Sequence, residues 1–211
     1  MKVSVSILRN KDKIKETIKA LNNTNTDYIH LDILDGTFAP EPSFELKSFS
    51  KINHDRPYDI HIMSTNLEFQ VWEAIKLKPE IITLQYEAIK RKEVKKYLDL
   101  IKENGIKVGL AINPKTSIRK VKKYFDRLDY LLVMSVQAGL GGQEFIPKTI
   151  KKIKKLRKLN PDFLIGVDGG INYENAKLLV DKVDILVAGS YVTETNCYED
   201  QILKLKHLKN N

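Results

Sequence analysis

The segment Tyr28-Ile-His-Leu-Asp-Ile-Leu-Asp-Gly36 places a histidine and a carboxylate two residues apart in an apolar run that stops at a glycine. Side chains alternate along an extended chain, so Tyr28, His30, Asp32 and Leu34 share one face while Ile29, Leu31 and Ile33 take the other. A carboxylate on a buried face needs a metal, a hydrogen-bonding network or a proton. By itself the segment fits either a functional pair or a satisfied core pair. Two further residues of the same chemistry stand late in apolar runs: His61 in Tyr58-Asp-Ile-His-Ile-Met63, and Asp168 just before Gly169-Gly170. Two histidines and two aspartates make a mixed nitrogen and oxygen donor set. It suits one divalent ion such as zinc, manganese or iron, with a position left open for substrate.

Glycine-rich stretches suggest a second chemistry. Gly169-Gly170 and Gly189-Ser190 each follow an apolar run, and backbone amides in such loops bind phosphate; Gly139 to Gly142 could add further amide donors. Each cluster taken alone also fits an ordinary turn.

These residues converge only if the elements carrying them do. Strand-like runs cover 2–8, 28–34, 58–63, 80–85, 106–112, 128–135, 163–167 and 183–188. Between them run helical patterns: Ile14, Ile18 and Leu21; a short helix over 44–51; Leu67, Val71, Trp72 and Ile75; Val94, Leu98 and Ile101; Ile118, Val121 and Phe125; Ile150, Ile153 and Leu156; Ala176 and Val180; and Ile202, Leu205 and Leu208. Eight strands alternating with eight helices predict an α/β fold of parallel units, a (β/α)8 TIM barrel forming a single domain over 1–211. An open doubly wound sheet would carry its glycine fingerprint after the first strand, where Arg9-Asn-Lys-Asp12 stands instead. In a barrel the active site lies at the carboxy-terminal ends of the strands, so Ser6, His30, Asp32, His61, Gln85, Met134 and Asp168 are expected on one rim. Residues 136–145 form the longest loop, with the character of a lid.

The net charge of +9 raises the question of nucleic acid or an anionic membrane. Its densest run, Lys148-Thr-Ile-Lys-Lys-Ile-Lys-Lys-Leu-Arg-Lys158, spaces Ile150, Ile153 and Leu156 as a core stripe, which leaves the lysines on a solvated face with no aromatics to stack bases. Small anionic molecules are the expected partners, with no nucleic acid and no membrane; the sequence leaves a homo-oligomer open. The chain opens directly into a strand, without a signal-peptide pattern, and Cys197 is its single cysteine. Both features suggest a cytoplasmic protein with no disulfide framework.

The chain resembles the ribulose-phosphate 3-epimerase family over nearly its whole length. The likeness is carried by Ser6-Ile-Leu8, His30-Leu-Asp-Ile-Leu-Asp-Gly36, Phe38-Ala-Pro40, Asp59-Ile-His-Ile-Met63, Asn113-Pro-Lys-Thr116, Met134-Ser-Val136, Gly141-Gly-Gln143, Val167-Asp-Gly-Gly-Ile-Asn172 and Val187-Ala-Gly-Ser190. It implies a (β/α)8 barrel that inverts carbon 3 of D-ribulose 5-phosphate to give D-xylulose 5-phosphate, in the pentose-phosphate pathway. It places metal ligands on His30, Asp32, His61 and Asp168 and the acid/base pair on Asp32 and Asp168. Substrate contacts fall on Ser6, His61, Gly139, Leu140, Gly141, Gly142, Asp168, Gly169, Gly170, Gly189 and Ser190.

Leu34 and Gln85 depart from the family's usual methionine and histidine, Glu41 from an asparagine, and Gln137-Ala138 from an acidic or amide residue and proline. The chemistry fits the residues: removing the proton beside a ketone gives an enediolate whose charge a metal stabilises, and inversion needs a carboxylate on each face. An epimerase for a related hexulose phosphate and a non-catalytic phosphate-binding barrel are the alternatives.

Overall fold

The computed structural model describes residues 1–160 and 162–208. The single-domain expectation over 1–211 therefore includes four residues, Pro161 and 209–211, that lie outside the described part. The apolar runs form β1 (Lys2–Ser6), β2 (Tyr28–Leu34), β3 (Tyr58–Met63), β4 (Ile81–Gln85), β5 (Lys107–Ile112), β6 (Tyr130–Met134), β7 (Leu164–Asp168) and β8 (Ile185–Ala188). Each strand pairs in parallel with the next and β8 returns to β1, which closes the (β/α)8 barrel.

Alternation along the strands divides the core in two. Outward residues such as Val3, Val5, Ile29, Leu31, Ile33, Ile60 and Ile62 join the helices in one apolar shell. Inward residues fill the barrel, and they divide by chemistry. Ser4, Ser6, His30, Asp32, Asp59, His61, Thr83 and Gln85 on β1 to β4 are polar and buried. Ala111, Tyr130, Leu132, Met134, Ile185 and Val187 on the opposite wall are apolar.

Tyr130 packs across the barrel, and glycines make room for it. A β-carbon at Gly166 would lie 1.7 Å from the Tyr130 hydroxyl oxygen, and one at Gly109 would lie 2.9 Å from its ring. Both distances are shorter than van der Waals contact allows.

The outer layer holds α1 (Ile14–Asn22), α2 (Leu67–Lys76), α3 (Val94–Glu103), α4 (Thr149–Leu159), α5 (Tyr173–Lys177), α6 (Ser190–Thr193) and α7 (Tyr198–Lys206). Two expected helices are absent as α-helices. Residues 44–51 give a 3₁₀ segment over Leu46–Lys51, and the region of Ile118 to Phe125 gives two, Ile118–Lys120 and Lys122–Arg127. The buried residues suit such turns. Leu46 and Phe49, like Ile118, Val121 and Tyr124, recur every three residues, which aligns one face of a three-residue turn. Tyr124, rather than Phe125, completes the second stripe.

In α2 the buried face is Leu67, Gln70, Val71 and Ala74. Trp72 turns outward and is 45% exposed, because 3.6 residues per turn carry it off the face that Leu67 and Val71 define. In α4 the lysines surround the buried Thr149, Ile153 and Leu156, as the amphipathic pattern requires.

Candidate metal centre and substrate cleft

Strand register builds the centre. Ser6 pairs with His30, His30 with Asp59, and Asp32 with His61, so their side chains stand side by side inside the barrel. Asp168, the last residue of β7, enters from the far wall beside Met134 and Val187. One donor atom from each of His30, Asp32, His61 and Asp168 falls within 4.8 Å of the others. Asp32 lies at the middle: its Oδ1 is 3.3 Å from His30 Nε2 and 3.4 Å from His61 Nδ1, and its Oδ2 accepts the Ser6 hydroxyl at 2.7 Å.

The two histidines are arranged as ligands. His30 Nδ1 lies 2.8 Å from Asp59 Oδ2, which also accepts the Ser4 hydroxyl, and His61 Nε2 lies 2.9 Å from Gln85 Oε1. Each acceptor holds a ring proton on the outer nitrogen and leaves the inner nitrogen facing the cluster. Those inner atoms, His30 Nε2 and His61 Nδ1, are buried and without a hydrogen-bond partner among the described residues. Orphaned imidazole nitrogens beside two carboxylates are what a divalent ion would satisfy, so the donor set fits one metal.

Charges in the cluster are tightly linked. Burial opposes ionisation of Asp32, but His30 and His61 hold its carboxyl well below the usual carboxylate range. Burial also works against a charged His30, yet Asp59 and Asp32 on either side raise it well above the ordinary imidazole value. Asp168 moves the opposite way: burial and the charge of Asp32 push it up to about 7, against the pull of His30 and His61.

Above the cluster opens a cleft of about 610 Å³. Ser6, Asp32 and Asp168 line it, together with Gly139 to Gly142, Gly169, Gly170, Gly189 and Ser190, so the predicted metal and loop residues meet in one place. His30 and His61 are fully buried beneath the cleft. Leu140 stands at the mouth, 49% exposed. Gly170 at φ +64° lies so close to the turn at Gln143 to Phe145 that a β-carbon would be 2.5 Å from the Phe145 nitrogen. Only glycine fits both that backbone region and that space.

A family model described as the ribulose-phosphate 3 epimerase family matches residues 2–193. The chain belongs to this family. It is 34% identical to the ribulose-phosphate 3-epimerase of Bacillus subtilis, with 83% of each chain covered. It is 35% identical to the chloroplastic ribulose-5-phosphate-3-epimerase of Arabidopsis thaliana, covering 98% of this chain and 76% of that one. Among solved structures it is similar to 3-hexulose-6-phosphate synthase from Salmonella typhimurium, at a TM-score of 0.69 and 15% identity, covering 99% and 98% of the two chains. Thiamine phosphate pyrophosphorylase from Pyrococcus furiosus is similar at the same TM-score and identity, over 98% and 94%. At that identity the likeness is one of fold.

The departures from the ribulose-phosphate 3-epimerase pattern surround the cluster without entering it. Leu34 is buried near Gly139, and Glu41 is exposed beside the same loop. The Gln137 carbonyl accepts Gln143 Nε2, and the Ala138 amide donates to Asn113 Oδ1 at 2.9 Å. Gln85 stands directly behind His61.

Three supporting residues escaped the sequence reading. Asp59 was legible in principle, two residues before His61 and so on its face of the strand. Ser135 donates to the carbonyls of Asp168 and Gly169 and pins the end of β7. Glu87, on the 3₁₀ turn after β4, binds Gln85. Ser135 meets its partners only across strands, and Glu87, two residues from Gln85, is fixed by Asn113 and Thr116 of the turn after β5, so neither role shows in local sequence.

Proposed function

We propose that this chain interconverts D-ribulose 5-phosphate and D-xylulose 5-phosphate by inverting carbon 3, with Asp32 and Asp168 as the proton-transfer pair. The observation that carries the reading is two carboxylates at the floor of one cleft whose environments drive them apart. Asp32 is held ionised by two histidines, and Asp168 is raised to about 7. Opposed proton affinities in one site are the arrangement that acid/base chemistry requires.

In one direction Asp32 takes the carbon-3 proton while Asp168, protonated, returns one to the opposite face; in the other direction the roles exchange. Ser6, donating to Asp32 Oδ2, fixes the direction in which that carboxylate presents its free electrons. A divalent zinc, iron or manganese ion held by His30, Asp32, His61 and Asp168 supplies Lewis-acid stabilisation of the negative charge that develops on the ketone oxygen. The loop glycines Gly139, Gly141, Gly142, Gly169, Gly170 and Gly189, with Ser190 and Leu140, are read as the walls that hold the sugar and its phosphate. The exposed lysines of α4 are read as a solvated face, and the protein as cytoplasmic. No helix among the described residues is long and apolar enough to cross a membrane.

Turnover in deuterated water tests the reading. Deuterium is expected at carbon 3 of the product, because the proton removed on one face is not the one returned on the other. Asp32→Asn and Asp168→Asn, each with its metal content measured, are expected to lower epimerisation by at least about 100-fold. Near-normal rates in either metal-loaded variant would exclude the two-carboxylate mechanism. Absence of carbon-3 deuterium with any ketose phosphate would favour a binding role.

A further inference from the structure

We propose that Gln85 and Glu87 form a positioning relay that commits His61 to the tautomer protonated on Nε2, and so keeps its Nδ1 lone pair directed at the metal. The inference rests on the metal reading of the four-residue cluster and assigns a role to two residues outside it.

A neutral imidazole carries one ring proton, and its position decides which nitrogen can be a ligand. His61 Nδ1 faces Asp32 Oδ1 at 3.4 Å, and Nε2 faces the Gln85 amide oxygen at 2.9 Å. Gln85 alone cannot choose, because an amide offers an acceptor at one end and donors at the other. Rotated by half a turn, it would donate to Nε2, move the ring proton to Nδ1 and close the inward lone pair.

Glu87 removes that freedom. A carboxylate only accepts, and Gln85 Nε2 donates to Glu87 Oε2. The rotated amide would set its oxygen against that carboxylate, so the acceptor end of Gln85 has to face His61.

Glu87 is itself held in place. Its Oε1 accepts the Asn113 backbone N–H at 3.0 Å and the Thr116 hydroxyl, both from the turn after β5. Lys152 donates from α4 to the carbonyls of Asn113 and Pro114 at 2.7 and 2.8 Å, bracing the same turn. The chain of contacts therefore runs from the barrel rim to an atom of the buried cluster. The other histidine needs no relay. Behind His30 stands Asp59, an acceptor-only carboxylate in direct contact. The structure thus gives each histidine a carboxylate that holds its outer ring proton, one directly and the other through an amide.

The test reads the tautomer and the metal separately. Long-range proton–nitrogen correlation spectra of the metal-free protein should show His61 protonated on Nε2. Zinc affinity is measured by competition with a chelator. In Glu87→Ala the amide is free to rotate. His61 should become a mixture of tautomers, and zinc should bind about 10- to 100-fold more weakly, the usual effect of losing an orienting partner behind a ligand.

The exchanged double variant, Gln85→Glu with Glu87→Gln, restores donor against acceptor along the relay. It should recover the Nε2–H tautomer and bring zinc affinity to within about 3-fold of the unmodified protein. It also serves if Glu87→Ala fails to fold. Weaker zinc binding in Glu87→Ala with the tautomer unchanged would reduce Glu87 to a structural prop and overturn the proposal. So would unchanged affinity with a mixed tautomer, or an exchanged variant as impaired as Glu87→Ala. Absence of zinc binding by the unmodified protein would instead refute the metal reading, while the metal-free tautomer still reports on the relay.

Discussion

Loading the cluster with a divalent ion should release protons, and the structure shows which groups hold them. In the metal-free chain burial opposes a charged His30, but Asp59 and Asp32 raise its proton affinity well above the ordinary value, and Asp168, at about 7, is half protonated at pH 7. Asp32, held far below the usual carboxylate range, contributes none. A bound ion needs the His30 Nε2 lone pair and competes with the proton on Asp168, so uptake at pH 7 should expel up to about half a proton from Asp168 in addition to the share of His30.

Both groups have raised proton affinities, so protons oppose the metal most at low pH. The share of Asp168 should approach one proton at about pH 6 and fall toward none at about pH 8. Each proton changes the binding free energy by about 1.36 kcal/mol per pH unit, so the share of Asp168 alone makes affinity rise by roughly 0.7 kcal/mol, near 3-fold, for each unit around neutrality. Titration calorimetry in buffers of different ionisation enthalpy measures the released protons directly. Asp168→Asn should lower the release at pH 7 by about half a proton and leave the share of His30. A release left unchanged by Asp168→Asn would refute the raised proton affinity of Asp168.

Other outcomes follow from the same geometry. Gly166→Ala should destabilise the fold by about 1–3 kcal/mol in denaturant melts, because its β-carbon falls 1.7 Å from the Tyr130 hydroxyl oxygen; adding Tyr130→Phe should recover part of the loss, and a neutral Gly166→Ala would contradict the packing. Arg9 is the cationic side chain lining the cleft among the described residues, paired at 3.3 Å with Glu194 across its mouth. Arg9→Ala should raise KM for the sugar phosphate by about 3- to 10-fold with kcat within about 2-fold, and an unchanged KM would remove Arg9 from substrate binding. DNA binding, followed by fluorescence anisotropy, should be weak and vanish at physiological salt; tight, salt-resistant binding would overturn the solvated reading of the α4 lysines.

The periodicity of this chain already contains the barrel. Alternation within 28–34 and 58–63 separates polar from apolar faces, and eight such runs divided by helical patterns leave few ways to bury both sides of a parallel sheet. His30, Asp32, His61 and Asp168 were legible for the same reason: strand direction alone carries the late residues of every strand to one rim. What the sequence could not supply depends on contacts between distant strands. A spacing of three, as at Leu46 and Phe49 or Ile118 and Val121, suits an α- as well as a 3₁₀-turn and does not choose between them, and the exposure of Trp72 is set by which face of α2 meets the sheet.

The supporting partners of the cluster are of the same kind. Asp59 reaches His30 and Gln85 reaches His61 only because register sets β2, β3 and β4 side by side at particular residues, while Glu87, two residues from Gln85, is held against it by Asn113 and Thr116 from the turn after β5. A one-residue slip would turn Asp59 and Gln85 to the other face. The raised proton affinity of Asp168 has the same origin, since it exists only where closure brings β7 across the barrel to Asp32. The sequence therefore determined which chemical groups are present and which end of the barrel they occupy. Tertiary structure decided which nitrogen, which oxygen and which proton face one another, because those relations are made between strands rather than along them.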